Sequence, residues 1–428
     1  MRYTNYTLKN VHTLPQYHQL PLEQKEAIQV VGHVLPFKAN SYVVNTLINW
    51  EDTANDPLFR LFFPQRGMLP ENEYQSLRKH ILSGADQARL KQEITRIRHS
   101  LNPHPAGQQE HNIPTLHGRR LKGLQHKYKE TLLVFPSHGQ SCHAFCSFCF
   151  RWPQFIGDPS LRFAMKDTQE MSAYLREHPE ITDVLFTGGD PMTMSARLLE
   201  SYISPLLHPE FEHIRSIRIG SKSLATWPYR FITAKDSKDI LALFRRIKAS
   251  GKHLAFMAHF NHPKEMAQPV ARQAIEAVQE AGAIIRTQAP LLAHINDSAA
   301  TWATMWRQQV DLGMVPYYMF LARDTGIQEY FGLPLVQALD IFRGAYRCVS
   351  GLCRTVRGPS MSAEPGKVEI VDTPEIHGKR YLALRFIQAR RPEWAQQLFF
   401  AQYTDSALWL DDLLPAFGSS RFFFEHTP

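Results

Sequence analysis

Three of the five cysteines in the 428-residue chain lie within eight positions of one another, at Cys142, Cys146 and Cys149. Their C-x3-C-x2-C spacing puts three thiolates on one short loop, where they can hold three irons of a 4Fe–4S cluster. Ferredoxin-type clusters normally use four cysteines, so a three-cysteine site leaves one iron open to a small molecule. We interpret the other two cysteines, Cys348 and Cys353, as structural.

Two other interpretations of the cysteine loop stay open on the residues alone. A zinc ion needs a fourth ligand, which His143 or His138 could supply from the same segment. Free cysteines are also often buried in protein cores. The segment carries Ser, His and Gln among its apolar residues, which is typical of a loop, and this favours a cluster over the other two roles.

The elements that must position this loop alternate between about residues 130 and 349, where six β-rich runs are each followed by an amphipathic helical stretch. The predicted strands are Thr131–Ser137, Thr182–Thr187, Ser216–Ser221, His253–Phe260, Ile284–Ala289 and Val315–Ala322. Six β-then-α units predict parallel strands, in an open doubly wound sheet or in part of a barrel. Both arrangements place the chemistry at the C-terminal strand ends.

The predicted organisation is a mainly helical region over residues 1–105, a βα core over 106–349 and a C-terminal cap over 350–428, with Pro103-His104-Pro105 as a linker. A content of 44% hydrophobic and 21% charged residues excludes disorder over most of the length. No apolar run approaches the ~20 residues of a membrane span, and no signal peptide is seen, so we expect a cytoplasmic protein without a membrane partner. The net charge of +8 suits an anionic cofactor, a nucleic acid or an acidic substrate without choosing among them.

The cysteine loop, placed directly after the first predicted strand, resembles that of the radical S-adenosylmethionine superfamily. The second predicted strand ends in Thr187-Gly188-Gly189-Asp190-Pro191, which is similar to the superfamily's glycine-rich contact for S-adenosylmethionine. The resemblance implies that the three cysteines bind the cluster and that Gly188, Gly189 and Asp190 contact S-adenosylmethionine, which chelates the open iron. Glycines allow backbone to approach such a ligand closely. Electron transfer from the cluster then yields a 5′-deoxyadenosyl radical.

Further segments between about residues 45 and 370 are similar to the lysine 2,3-aminomutase family. These segments are His126-Lys127-Tyr128, Arg151, Arg218-Ile219-Gly220-Ser221-Lys222, His259-Phe260-Asn261-His262-Pro263, Gln288, Leu291-Leu292, Asn296-Asp297 and Ser350-Gly351-Leu352-Cys353. The resemblance implies an α/β fold, a partial (βα)6 barrel of parallel strands with a helical N-terminal extension and a C-terminal cap. It also implies self-association and an electron donor such as flavodoxin or ferredoxin.

Pyridoxal 5′-phosphate is the cofactor that distinguishes this family. The resemblance implies that Lys367, fourteen positions after Cys353, forms the Schiff base with it. A Pro-Gly turn before this lysine can present it to a cleft, and desolvated lysine amines form Schiff bases. Lys127 and Tyr128 fall where the family binds the cofactor phosphate. At the family's further phosphate arginine this chain has Thr131.

The resemblance also assigns the remaining contacts. Arg151 matches the family's arginine for the substrate carboxylate, and a planar guanidinium suits bidentate carboxylate binding. His259 and Gln288 are implied to contact the cofactors. The lysine-acting enzymes hold the ε-ammonium group with two aspartates, and the matching positions here are Ala322 and Ser360. Because a buried ammonium without a counter-ion is costly, we expect a neutral or acidic amino acid rather than free lysine as substrate.

The activity implied is that of an amino acid 2,3-aminomutase, an isomerase that moves the α-amino group to the β-carbon by 5′-deoxyadenosyl radical chemistry. One alternative is a radical S-adenosylmethionine enzyme on the same scaffold that modifies a peptide or small molecule, with or without pyridoxal phosphate. A nucleic-acid-modifying role is disfavoured, because no RNA-binding module and no concentrated Lys/Arg stripe is found. The C-terminal zinc cysteines of the family have no counterpart, and we predict no zinc.

Overall fold

Runs rich in β-branched and aromatic residues form the strands of this computed structural model, which describes residues 1–84, 86–102, 112–158 and 161–426. In chain order the strands are β1 Asn5–Tyr6, β2 Ala39–Asn40, β3 Thr115–Leu116, β4 Arg119–Arg120, β5 Leu124–Tyr128, β6 Thr131–Val134, β7 Asp183–Phe186, β8 Ser216–Ser221, β9 His253–His259, β10 Ile284–Leu291, β11 Val315–Leu321, β12 Arg357–Ser362, β13 Gly366–Asp372, β14 Glu375–Ile376, β15 Lys379–Ala389 and β16 Leu398–Gln402.

Amphipathic stretches between these strands form the helices. The α-helices in the described part of the chain are Pro15–Gln19, Leu22–Val34, Pro57–Phe62, Glu71–Leu82, Gln87–Ser100, Thr168–Glu177, Ala196–Ile203, Ser223–Thr226, Tyr229–Ile232, Ser237–Ala249, Lys264–Ala267, Pro269–Glu280, Ala299–Asp311, Gln328–Phe331 and Leu335–Arg347. Searched over the described residues, none of these helices combines the length and the apolar character that crossing a membrane requires.

The six predicted strands are all present as β6 to β11, and they pair side by side in chain order with every pairing parallel. The α/β fold with a mainly parallel sheet is therefore confirmed. In β8 the alternation is clear, since Ile217 and Ile219 are fully buried while Arg218 and Gly220 on the opposite face are partly exposed. The first strand ends at Val134 rather than at the predicted Ser137, because Pro136 has no N–H to continue the ladder.

The sheet continues beyond these six strands on both sides. Strand β12 adds a further parallel strand, after which β13, β15, β16 and β14 pair antiparallel, and β5 pairs antiparallel on the opposite flank. Seven strands separate β5 from β13 in the pairing order. Even so, the Lys367 ammonium nitrogen on β13 lies 5.4 Å from the ring centre of Tyr128 on β5. The sheet therefore curves until residues of its two flanks meet.

Two apolar clusters hold the chain together, and both cross the predicted region boundaries. The N-terminal cluster contains Trp152, Trp227 and Phe331 from the βα region as well as residues of the first hundred positions. The larger cluster joins the sheet and its helices to Trp394 and Phe422 of the C-terminal cap. The boundaries at 105 and 349 stay predictions, and the proposed linker Pro103-His104-Pro105 lies outside the described residues.

Candidate active site

The cysteine loop follows β6 after a short helical turn at Ser137–Gly139. All three cysteines are partly buried. Burial raises the pKa of Cys146 to about 12 and also raises the pKa values of Cys142 and Cys149. The three thiols influence one another electrostatically, so they share one environment. Neutral thiols are thus favoured until a metal displaces their protons.

Three soft sulfur donors on one loop suit iron–sulfur ligation. Within the described ranges, no three His, Cys, Asp or Glu side chains are already grouped as a metal-binding set. The assignment of Cys142, Cys146 and Cys149 to a cluster therefore rests on their spacing in the chain and on their shared environment.

The glycine pair after β7 packs against the cysteine loop. A Cβ atom on Gly189 would lie 2.4 Å from the carbonyl oxygen of Ser141, and one on Gly188 would lie 2.2 Å from Nε2 of Gln140. Gly188 also has a positive φ of +133°. The N–H of Asp190 donates to the carbonyl oxygens of Ser141 (2.6 Å) and Gly139 (3.0 Å). Close packing under the cysteine loop therefore requires glycine at positions 188 and 189, and the sequence alone did not reveal this requirement.

Gly189→Ala should therefore displace the cysteine loop. We expect a loss of about 1–3 kcal/mol in the free energy of unfolding, since a methyl group would overlap backbone that cannot move freely, and a lower iron content after reconstitution. Gly351→Ala is the matched control, because nothing lies within 4 Å of a Cβ at that position. Denaturant unfolding and iron analysis of both variants test this, and wild-type values for Gly189→Ala would contradict the packing explanation.

The Asp190 carboxylate joins its own segment to the segment of Lys222 and Ser223 beneath the loop. It accepts from the N–H of Met192 (2.9 Å), the N–H of Lys222 (3.0 Å) and the hydroxyl of Ser223 (2.9 Å). The Ser223 hydroxyl also lies 2.9 Å from Nδ1 of His143 on the cysteine loop. Burial lowers the pKa of His143 to about 3, so its ring is neutral. In this structure Asp190 positions the loop, and its contact with S-adenosylmethionine stays a prediction.

His259 and Gln288 are neighbours, because they face each other in the register of β9 and β10. The His259 ring lies 5.7 Å from the ring of Phe148 on the cysteine loop. Its Nε2 atom is buried without a hydrogen-bond partner, and burial lowers the pKa of His259 well below its usual value. A neutral imidazole with an unmet hydrogen bond can bind a ligand placed beside the loop.

Lys367 lies in a polar and aromatic environment between the two flanks of the sheet. Its ammonium nitrogen donates to Oε1 of Gln388 at 3.0 Å and lies 4.8 Å from the ring centre of Tyr318. Burial, together with the charges of Arg218 and Arg357, lowers the pKa of Lys367 to about 7. A substantial fraction of this amine is therefore neutral near pH 7, which is the nucleophilic form.

Lys127 and Tyr128 lie close to Lys367, as the sequence interpretation requires. Lys127 Nζ lies 5.4 Å from the Tyr128 ring centre and donates to the carbonyl oxygen of Ala363. Burial lowers the pKa of Lys127 to about 7, with contributions from nearby arginines including Arg323. The hydrogen-bond acceptor of Lys127, like that of Lys367, is neutral. An anionic ligand bound here would therefore compensate the positive charge of the lysine. Thr131, at the family's other phosphate position, instead donates to Asp183 (3.2 Å).

Arg151 is half-buried among aromatic rings. Its guanidinium carbon lies 4.1 Å from the ring centre of Phe135 and 5.3 Å from that of Phe150. Arg323 approaches the same Phe150 ring at 5.2 Å and the Trp409 ring at 5.7 Å. Burial, together with the charge of Arg323, lowers the pKa of Arg151 to about 10, and the guanidinium stays protonated. Arg151 and Arg323 are named below as the cationic cluster.

The two positions expected from the resemblance to govern substrate choice carry no charged side chain. Ser360 is fully buried and its hydroxyl donates to the Met319 carbonyl oxygen at 3.3 Å. Ala322 accepts a hydrogen bond from Gln328 through its carbonyl oxygen. The nearby carboxylate of Asp324 lies 3.4 Å from Nε of Arg323, and this ion pair partly compensates its negative charge.

The sequence did not reveal the part that the N-terminal region has in this site. The Asn40 side chain donates to the carbonyl oxygen of His143 at 3.1 Å, and the Tyr3 hydroxyl donates to the same oxygen at 3.1 Å. Lys38 donates to the carbonyl oxygen of Cys142 at 2.7 Å. These contacts join residues more than a hundred positions apart, and no local pattern announces them.

The chain is similar to known proteins over most of its length. The chain is 32% identical over 406 residues to a protein of Aquifex aeolicus that bears the provisional name L-lysine 2,3-aminomutase, with 95% of each chain covered. It is 26% identical to the glutamate 2,3-aminomutase of Clostridioides difficile, over 81% of this chain and 70% of that one. A radical SAM methyltransferase from Sphaerobacter thermophilus aligns with a TM-score of 0.34 and 17% identity, over 55% of this chain and 68% of that one, and this similarity is too low to establish a shared fold. No family model matches.

Proposed function

Because the chain belongs to the lysine 2,3-aminomutase-like family of radical S-adenosylmethionine enzymes, we propose that it moves an α-amino group to the β-carbon of an amino acid. The observation that carries this proposal is Lys367, a half-buried lysine whose amine is shifted to a pKa of about 7 beside Tyr128 and Tyr318. When bound, a 4Fe–4S cluster with S-adenosylmethionine supplies a hydrogen-abstracting radical, and pyridoxal phosphate carries the migrating nitrogen.

The chain's own residues have separate tasks in this proposal. Cys142, Cys146 and Cys149 hold the cluster, and the Gly188-Gly189-Asp190 segment, His259 and Gln288 surround the place for S-adenosylmethionine. On the curved sheet, which we take as a partial (βα)6 barrel, Lys367 presents its amine between two tyrosine rings. Lys127 and Tyr128 lie where they can bind the cofactor phosphate, and Lys127 keeps the charge without the bidentate geometry of an arginine.

The cationic cluster decides which substrates fit. Arg151 is a half-buried guanidinium suited to a carboxylate, and Arg323 adds a second positive charge beside the same Phe150 ring. Positions 322 and 360 offer no carboxylate to an ammonium group. We therefore propose a neutral or acidic amino acid as substrate. The relatives' names include both a lysine and a glutamate 2,3-aminomutase, so names alone do not select the substrate.

Competition between amino acids tests this proposal. The full-length holoenzyme is incubated anaerobically with S-adenosylmethionine, a reductant and equal amounts of lysine, glutamate and alanine. Since burying an unpaired ammonium costs a few kcal/mol, we expect kcat/KM for lysine to be at least ~100-fold below that of the best substrate. Ser360→Asp, which restores one carboxylate, should narrow this gap, whereas Ser406→Asp at an exposed position should not. Preferred conversion of lysine to β-lysine by the wild type would contradict the proposal.

The proposal includes several features of the enzyme's surroundings. A one-electron donor such as flavodoxin or ferredoxin would reduce the cluster, the enzyme would act in the cytoplasm, and copies of the chain would self-associate. These features follow from membership of the family.

A further inference from the structure

Lys38 is the residue of the N-terminal region that reaches the first cysteine of the loop. Its ammonium nitrogen donates to the carbonyl oxygen of Cys142 at 2.7 Å and lies 3.4 Å from the Ser141 hydroxyl. The carbonyl oxygen of Lys38 accepts from the N–H of Phe145 at 2.8 Å, and its ammonium nitrogen lies 5.6 Å from the Phe145 ring centre. One residue therefore holds the turn around Cys142 with its side chain and its backbone.

The positive charge of Lys38 is not cancelled by its hydrogen-bond partners. Both partners are neutral oxygens. Among the described residues Lys38 has no carboxylate within salt-bridge distance, whereas Lys222, for example, pairs with Glu265. The side chain is only partly exposed, so solvent screens its field less than at an open surface. A cluster on the three cysteines becomes more negative by one electron when an external donor reduces it. A nearby positive charge favours that state.

The remaining contacts between the N-terminal region and the loop do not depend on Lys38. Asn40 donates to the carbonyl oxygens of His143 (3.1 Å) and Thr226 (2.9 Å). The N–H and the hydroxyl of Ser147 both donate to the carbonyl oxygen of Leu61 at 2.9 Å. These bonds hold the loop when the Lys38 charge is removed, so charge and position can be tested separately.

We propose that Lys38 is a positioning residue whose ammonium group stabilises the reduced form of the cluster on Cys142, Cys146 and Cys149. This gives the N-terminal region a role in electron transfer to the site. The inference depends on the proposed function only for the presence of the cluster, and it is independent of pyridoxal phosphate and of the substrate.

Potentiometric titration of the reconstituted full-length protein, followed by the electron paramagnetic resonance signal of the reduced cluster, tests the proposal. Lys38→Gln keeps a hydrogen-bond donor and removes the charge. We expect a more negative midpoint potential, with a ratio of reduced to oxidised cluster about tenfold lower at a fixed potential. Lys38→Arg should stay near the wild-type potential. Lys25→Gln is the matched control, since Lys25 donates to a backbone carbonyl of His18 at 2.7 Å within the N-terminal region.

Iron content is measured for each variant beside the potential. Equal midpoint potentials in the wild type and Lys38→Gln at full iron content would overturn the proposal. So would an unchanged potential in the clusters that remain, if the glutamine variant binds less iron. A shift of the same size in Lys25→Gln would also overturn it. A wild-type chain that binds no cluster would instead contradict the proposed function, so the two failures are distinguishable.

Discussion

Lys367→Ala should abolish the visible absorption of protein-bound pyridoxal phosphate and reduce aminomutase activity by roughly three orders of magnitude or more. The covalent linkage needs a neutral amine, and burial with nearby arginines lowers the pKa of Lys367 to about 7. Gln388 and the rings of Tyr128 and Tyr318 surround the amine. Alanine retains the strand but offers no nucleophile.

Absorption spectra with added pyridoxal phosphate, before and after borohydride treatment, measure this effect. Lys379→Ala is the matched control, because Lys379 is an exposed lysine at the start of β15 in the same sheet. It should keep the wild-type spectrum and activity. If Lys367→Ala retained a borohydride-sensitive band of wild-type intensity, another lysine would carry the cofactor and the assignment would be wrong.

Cys146→Ala should remove the cluster and bring cleavage of S-adenosylmethionine to the background level. The loop has three cysteines, so only Cys142 and Cys149 remain as ligands in this variant. Two of the four irons then lack a protein ligand, instead of one. Iron and sulfide analysis, together with 5′-deoxyadenosine formation under anaerobic reducing conditions, measure the loss. The effect should be larger than that of any single change among the substrate contacts, because radical formation precedes every later step.

Cys348→Ala is the control for this experiment. Cys348 is an exposed cysteine outside the loop, and its removal should change neither iron content nor 5′-deoxyadenosine formation. Metal analysis also separates the cluster from the zinc interpretation, in which His143 or His138 would be the fourth ligand. In the structure, Nδ1 of His143 faces the Ser223 hydroxyl. One tightly bound zinc per chain without sulfide would contradict the cluster assignment.

The parallel strands could be predicted because their signal is local. The prediction Ser216–Ser221 matches β8, and the amphipathic helix expected after it is found at Ser237–Ala249. Apolar residues at helical spacing face the sheet there, with Ile240 and Phe244 fully buried. In such segments, periodicity and burial give the same answer.

The rest of the site could not be predicted, because it depends on contacts between distant segments. The antiparallel strands β13 and β15 bring Gln388 to Lys367 across a register that no periodic pattern specifies. Lys38 meets Cys142 from 104 positions away. The close packing of Gly189 on Ser141 also became visible only in three dimensions. Family resemblance suggested which residues matter, whereas the structure supplied their partners.

The most direct test of the central claim is product analysis by the full-length protein under anaerobic conditions, with isotopically labelled amino acids, S-adenosylmethionine, pyridoxal phosphate and a reductant. We predict a β-amino acid whose nitrogen derives from the α-amino group of the same molecule, and whose formation stops when S-adenosylmethionine or pyridoxal phosphate is omitted. Production of 5′-deoxyadenosine without any β-amino acid, or product formation that needs no pyridoxal phosphate, would contradict the proposed aminomutase and favour a different radical reaction on this scaffold.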